Sequence, residues 1–237
     1  MSGHSRWAQI KRSKGVTDKR KGQLFSKLTR AVTIAARNGG DPNFNVTLRL
    51  AITKAREANM PADNIDRAIK KGTGEGSEAQ IKEAFYEGFG PGGSAILIQA
   101  ATDKPTRTLS DLRTIFSRHD VHLGGANSVS WMFEQRGVIV VDPVGKSKED
   151  VELAAIDAGA ENVEESPAGI EVHTKPNEFD VVRKKLEASG LKVSSSELSM
   201  IAKNPVTLSD DEVTQLATLV DAIDEQEDVV TVYTNVQ

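Results

Sequence analysis

The stretch from Gly137 to Ala202 constrains the fold most, because its apolar residues alternate between two spacings in a fixed order. "GVIVVD", "ENVEES", "GIEVHT" and "LKVSSSELSMIA" carry the short period and β-branched content of strands. "SKEDVELAAIDAG" and "NEFDVVRKKLEASG" carry the helical period. Ser147 and Asp150 are spaced for a capping box on the first helix, and Asn177 is placed to cap the second. Strand, helix, strand, strand, helix, strand is the order of a ferredoxin-like βαββαβ unit.

The flanking segments read as a second α/β unit split by the first. "FYEGFGPGGSAILIQAATD" runs from a glycine-rich turn into a buried strand near Ser94–Ala101. "KPTRTLSDLRTIFSRHD" is a helix with Leu109, Leu112, Ile115 and Phe116 on its inner face, and "ANSVSWMFEQ" reads as a second strand. No third strand is evident before Gly137. A late helix, "SDDEVTQLATLVDAIDEQED", and a late strand, "VVTVYTNV", supply what is needed to complete that sheet. The expected division is a helical domain over 1–76, a discontinuous α/β domain over 80–134 and 207–237, and an inserted ferredoxin-like domain over 135–206. The fold class is α+β and multidomain.

Three amphipathic helices precede these units. Leu24, Phe25, Leu28, Ala31, Val32 and Ala35 form one stripe, with Asp18 placed to cap the helix and Gly39 and Gly40 to stop it. Arg20, Lys27, Arg30 and Arg37 fall roughly opposite the stripe. Leu48, Ala51, Ile52 and Ala55 mark a second helix. Ile65, Ala68 and Ile69 mark a third, with Pro61 in its first turn and Gly72 at its end. "GTGEGSE" reads as a linker.

Charge is divided as sharply as structure. The chain has a net charge of −4, yet Met1–Gly72 holds 16 basic and five acidic residues, a sum of +11, leaving −15 for the remainder. A basic module for a polyanion, joined to an acidic remainder, fits this split. The candidate nucleic-acid contacts are Arg6, Lys11, Arg12, Lys14, Lys19, Arg20, Lys21, Lys27, Arg30, Arg37, Arg67, Lys70 and Lys71, with a smaller basic site at Lys104 and Arg107. Trp7, among bases, is either a stacking residue or, with Ile10, a docking residue of the helical domain. A transit peptide would also be basic and serine-containing, but this stretch runs directly into an amphipathic helix. No row of Asn, Gln and Arg marks a recognition helix, so the pattern fits phosphate contact better than base readout.

Other chemistries find little support. The absence of cysteine excludes disulfides, cysteine zinc sites and cysteine nucleophiles. "GFGPGGSA" precedes a strand, whereas phosphate loops follow one, so it reads as a turn. His119, Asp120 and His122 lack a third ligand in view, and Gly124 and Gly125 lead out of the helix. His4 and His173 are isolated, and no serine elbow is present. The acids at the start of the last helix suit its dipole better than acid–base catalysis. No catalytic residue, metal or cofactor is assigned. No apolar run approaches the roughly 20 residues of a membrane span, and Met1–Arg12 has no secretory h-region.

Four motifs carry a resemblance: "GHSRWAQIKRSK" at Gly3–Lys14, "NMPADNIDRAIKKGTG" at Asn59–Gly74, "YEGFGPGG" at Tyr86–Gly93 and "LSMIAKN" at Leu198–Asn204. In this order they resemble the YebC family over nearly the whole chain, with "SRW" where many members have "SKW". The resemblance implies a helical domain followed by two α/β domains, and no enzyme activity. Family members are described as probable transcriptional regulators that bind DNA. Bacterial members are also linked to translation of proline-rich sequences, and a mitochondrial relative activates translation of cytochrome oxidase subunit I. The expectation is therefore a non-enzymatic, cytoplasmic, monomeric regulator of gene expression. Its partner would be DNA or, alternatively, ribosomal or transfer RNA on the ribosome, with no membrane partner.

Overall fold

The computed structural model describes residues 18–75, 81–143 and 145–237, with only the backbone course described for 18–21. The sequence candidates Arg6, Trp7, Lys11, Arg12 and Lys14 lie outside the described residues, as do the side chains of Asp18, Lys19, Arg20 and Lys21. The described residues form seven α-helices and two four-stranded antiparallel sheets, an α+β architecture. They divide into two compact units, one of 18–131 with 207–236 and one of 132–206 with Gln237.

In the first unit, α1 (Asp18–Ala36), α2 (Val46–Glu57) and α3 (Ala62–Thr73) share a core of Val32, Ala35, Ala36, Leu48, Ile52, Ala55, Met60, Ile65 and Ala68. Leu24, expected on the buried stripe of α1, is instead 43% exposed; Phe25 and Leu28 pack only at the margin of the core. Gly72, read as a helix terminator, lies inside α3, and the left-handed cap is Gly74. A Cβ at Gly72 would stand 2.3 Å from the Thr33 carbonyl oxygen and 2.6 Å from Ala36 Cβ. The missing side chain is thus what lets α3 lie against α1.

β1 (Lys82–Phe89) and β2 (Ala95–Thr102) form a hairpin in the first unit's sheet, whose order is β3–β1–β2–β8. β1 is the strand that was not evident from sequence, because its glycine-rich continuation masks the pattern. "GPGG" makes the hairpin turn, with Gly92 and Gly93 at φ of 61° and 73°. The helices are α4 (Pro105–Arg118) and, after the second unit, α7 (Asp210–Asp224), which is closed by the Ser209–Glu212 capping box. β3 is the short His122–Leu123 strand, and β8 (Val229–Thr234) pairs with β2.

The second unit runs β4 (Phe133–Asp142), α5 (Lys148–Ala158), β5 (Asn162–Ser166), β6 (Gly169–Thr174), α6 (Phe179–Ala188) and β7 (Lys192–Ala202). Its sheet order, β5–β6–β4–β7, is that of a ferredoxin-like unit. "ANSVSWMFEQ" and "GVIVVD" are not two strands: residues 126–132 turn, and Phe133–Asp142 is one continuous strand. Ser147 and Asp150 form their capping box, but Asn177 does not cap α6; Glu178 holds that position without a side-chain bond. The core comprises Ile139, Val141, Val172, Phe179, Val182 and Leu186, all buried.

Candidate nucleic-acid interface

The structure divides the sequence-predicted cations into two groups. Lys27 and Arg30, expected on an open polar face of α1, are instead turned onto the C-terminal end of the same unit. Lys27 Nζ lies 2.6 Å from Asp224 Oδ1, at the last residue of α7. Arg30 donates to the carbonyl of Ala101 at 2.6 Å and forms an ion pair with Asp228. Their side chains are only 14% and 20% exposed. The acidic run "DEQED" holds the reason: from the last residue of α7 onward it supplies counter-ions for α1.

Asp228 is the centre of this arrangement and is 1% exposed. Its carboxylate accepts hydrogen bonds from Thr108 Oγ1 at 2.7 Å, Thr102 Oγ1 at 3.1 Å and Arg107 Nη2 at 3.0 Å, besides Arg30. Burial pushes its pKa up, but the Thr108 hydrogen bond and the Arg107 and Arg30 guanidiniums outweigh that and hold it below the ordinary aspartate value. Arg107, half exposed, is further paired with Asp103 at 3.2 Å. The expected Lys104–Arg107 phosphate site is thus partly consumed by internal pairing, while Lys104 stays exposed at the start of α4.

The second group surrounds the junction of the three helices. Asn45 Nδ2 donates to the carbonyls of Ala35 and Gly39 at 2.7 and 2.8 Å, while its Oδ1 caps α2 through the N–H of Leu48 at 3.0 Å. One side chain therefore ties the end of α1 to the start of α2. Arg49 donates to the Pro42 carbonyl at 2.9 Å across the same loop. A Cβ at Gly40 would meet Ile69 and Thr73, so the C-terminal turn of α3 reaches this end too. Arg37, following α1, and Lys70, in the last turn of α3, are exposed here, with Lys71 half-buried beside them. Arg67 lies earlier on α3 and bonds the side chain of Asn64 and the carbonyl of Asp63.

Sequence reasoning passed over Asn45, Phe44 and Glu87. Glu87 is buried on β1 and accepts from the N–H groups of Asn127, Val129 and Ser130 at 2.8, 2.6 and 2.8 Å. Burial raises its pKa, and the three backbone hydrogen bonds bring the net shift below the ordinary glutamate value. It organises the loop after the Gly124–Gly125 pair. By alternation Glu87 shares a strand face with the exposed Glu83, Phe85 and Phe89, and only the loop that bonds it buries it, so the sequence carries no local signal for it. His173, isolated in sequence, is buried on β6 with Nε2 3.7 Å from Glu171 Oε2.

A family model for the TACO1/YebC N-terminal domain matches residues 5–75, and one for the TACO1/YebC second and third domains matches 81–236. The chain belongs to the TACO1/YebC family. A "Probable transcriptional regulatory protein" of Methylacidiphilum infernorum is 46% identical over 237 residues, covering 99% of this chain and 95% of the relative. One of Rubrobacter xylanophilus, with the same description, is 47% identical with the same coverages. Among solved structures, a conserved hypothetical protein of Aquifex aeolicus has a TM-score of 0.85 and 38% identity, covering 98% of this chain and 97% of that one. Of the family motifs in this chain, "NMPADNIDRAIKKGTG" leads into and builds α3, "YEGFGPGG" builds β1 and its turn, and "LSMIAKN" ends β7. The TACO1/YebC chain has no helix among its described residues long and apolar enough to cross a membrane.

Proposed function

We propose that this TACO1/YebC protein is a non-enzymatic, cytoplasmic, monomeric regulator of gene expression that binds DNA through its helical domain. The observation that supports it most is the end of the three-helix layer, where Arg37 and Lys70 are exposed on a framework stapled by Asn45. The names of the relatives support the regulatory role, and the basic sum of the N-terminal part supports a polyanionic partner. Arg6, Lys11, Arg12, Lys14, Lys19, Arg20 and Lys21 are further candidate contacts on charge alone.

The second reading is a translation factor on ribosomal or transfer RNA. It is favoured by α3, where Arg67 and Asn64, the pair best suited to reading base edges, bond each other. Phosphate and shape recognition then dominate, as RNA helices demand. The test has two parts. Replacing Arg37, Lys70 and Lys71 together by glutamine should weaken binding to unrelated sequences by similar factors. The salt slope should become shallower by up to about 0.9 per lost contact on duplex DNA or about 0.7 on a single strand. An unchanged slope would remove this surface from the proposal. Crosslinking in cells with sequencing of the bound nucleic acid separates the readings, promoter DNA supporting transcription and ribosomal RNA supporting translation.

A further inference from the structure

The loop joining α1 to α2 presents one aromatic ring to solvent. Phe44 is 90% exposed, more than any other large apolar side chain among the described residues. Single exposed apolar residues are ordinary on protein surfaces. Two features set this one apart. The first is the backbone beneath it. The Phe44 N–H donates to the Asp41 carbonyl at 3.2 Å, the Asn43 N–H to Asp41 Oδ1 at 2.8 Å, and the next residue is the bridging Asn45. Arg49 holds the Pro42 carbonyl on the other side. The ring is carried on a loop in which the N–H groups of Asn43, Phe44 and Asn45 are all hydrogen-bonded to Asp41, so little ordering of that turn remains to be done when a partner arrives.

The second feature is the company of the loop. Arg37 precedes it and the α3 turn bearing Lys70 and Lys71 reaches it at Gly40, while the half-buried Arg49 is spent on the Pro42 carbonyl. An apolar protein partner gains nothing from this cationic rim. A nucleic acid gains twice, because phosphates meet the cations while a base meets the ring. Paired bases inside a duplex are stacked on each other and offer no face; an unpaired base does.

We propose that Phe44 is a base-stacking contact, on which an unpaired nucleobase lies while cations at the same end of the helical layer hold the flanking phosphates. The inference rests on the nucleic-acid reading and adds to it a preference for loops, bulges or single strands over uninterrupted duplex. The sugar is not read by a ring, so RNA and DNA strands both serve.

The test compares the full-length wild type with Phe44→Ala and Phe44→Trp on fluorescein-labelled oligonucleotides of one mixed sequence, single-stranded as RNA and as DNA, and as a blunt DNA duplex. Affinity is measured over a salt series. Phe44→Ala should weaken single-strand binding about 5- to 150-fold at every salt concentration, leave the salt slope unchanged, and leave duplex binding unaffected. Phe44→Trp should restore single-strand affinity, with tryptophan quenching on binding beyond that of the wild type. Unchanged single-strand affinity in Phe44→Ala, or an equal loss on the blunt duplex, would overturn the stacking role while leaving salt-dependent binding by the wild type, and hence the functional reading, standing. A wild type that binds none of the probes would overturn the functional reading itself, and this inference with it.

Discussion

At Asp228 the competition between burial and pairing is decided by geometry. Moving a carboxylate out of water costs several kcal/mol even after the protein relaxes. Two guanidiniums and two hydroxyls meet it, so it stays ionised and becomes the point to which α1 is tied. Arg30→Gln should destabilise the fold by about 1–3 kcal/mol, because the carboxylate loses a charged partner while remaining buried. Arg37→Gln should change it by no more than about 0.5 kcal/mol. Urea unfolding of both variants checks the contrast, and equal small effects would mean that the Arg30 pair is energetically idle. The pH dependence has a definite sign. The folded pKa of Asp228 is depressed, so its contribution is present above the unfolded aspartate value of about 3.9 and is lost as pH falls from there through the folded value. Below pH of about 4 the wild type should lose stability more steeply than Asp228→Asn. Parallel curves would contradict this.

Two glycines in helices show how an element's neighbours set the sign of one substitution. Gly22 in α1 has nothing within 4 Å of an added Cβ, and Gly72 in α3 has the Thr33 carbonyl at 2.3 Å. Alanine removes a helix-propensity penalty of about 1 kcal/mol at either position. At Gly22 that gain stands alone, so Gly22→Ala should raise the melting temperature. At Gly72 the clash is with backbone, which yields only if α1 and α3 separate, and overpacking costs about 1–3 kcal/mol. Gly72→Ala should therefore lower the melting temperature. Thermal unfolding of the two variants decides it, and a rise in both would show that the α1–α3 approach is more compliant than its geometry indicates.

For the molecule as a whole, the second unit enters and leaves through neighbouring strands. Phe133 opens β4 and pairs with Ala202 at the end of β7, so the two ends of 132–206 lie side by side. A segment with adjacent ends and its own buried core around Ile139, Val172 and Phe179 meets the conditions for autonomous folding. Residues 132–206 produced alone should unfold in one cooperative transition, followed by circular dichroism in urea. A gradual, non-cooperative loss of signal would show that this core depends on the rest of the chain.

The order of strands and helices in 132–206, the three amphipathic helices and the Ser147–Asp150 capping box were legible in the sequence, because each rests on residues within one or two turns of each other. β1 was not, since Gly88 and the buried Glu87 break the strand pattern. Their reasons lie in Phe116, which packs where a Gly88 side chain would be, and in the loop N–H groups that Glu87 accepts. The site divided in the same way. That α1–α3 are basic is a property of composition. Which cations face outward was decided only by tertiary structure, because Lys27 and Arg30 find partners 197 and 198 residues away. A helical projection places a side chain on a face but cannot say what covers that face. The Asp224 and Asp228 carboxylates reach α1 only once the last helix and strand have closed the first sheet.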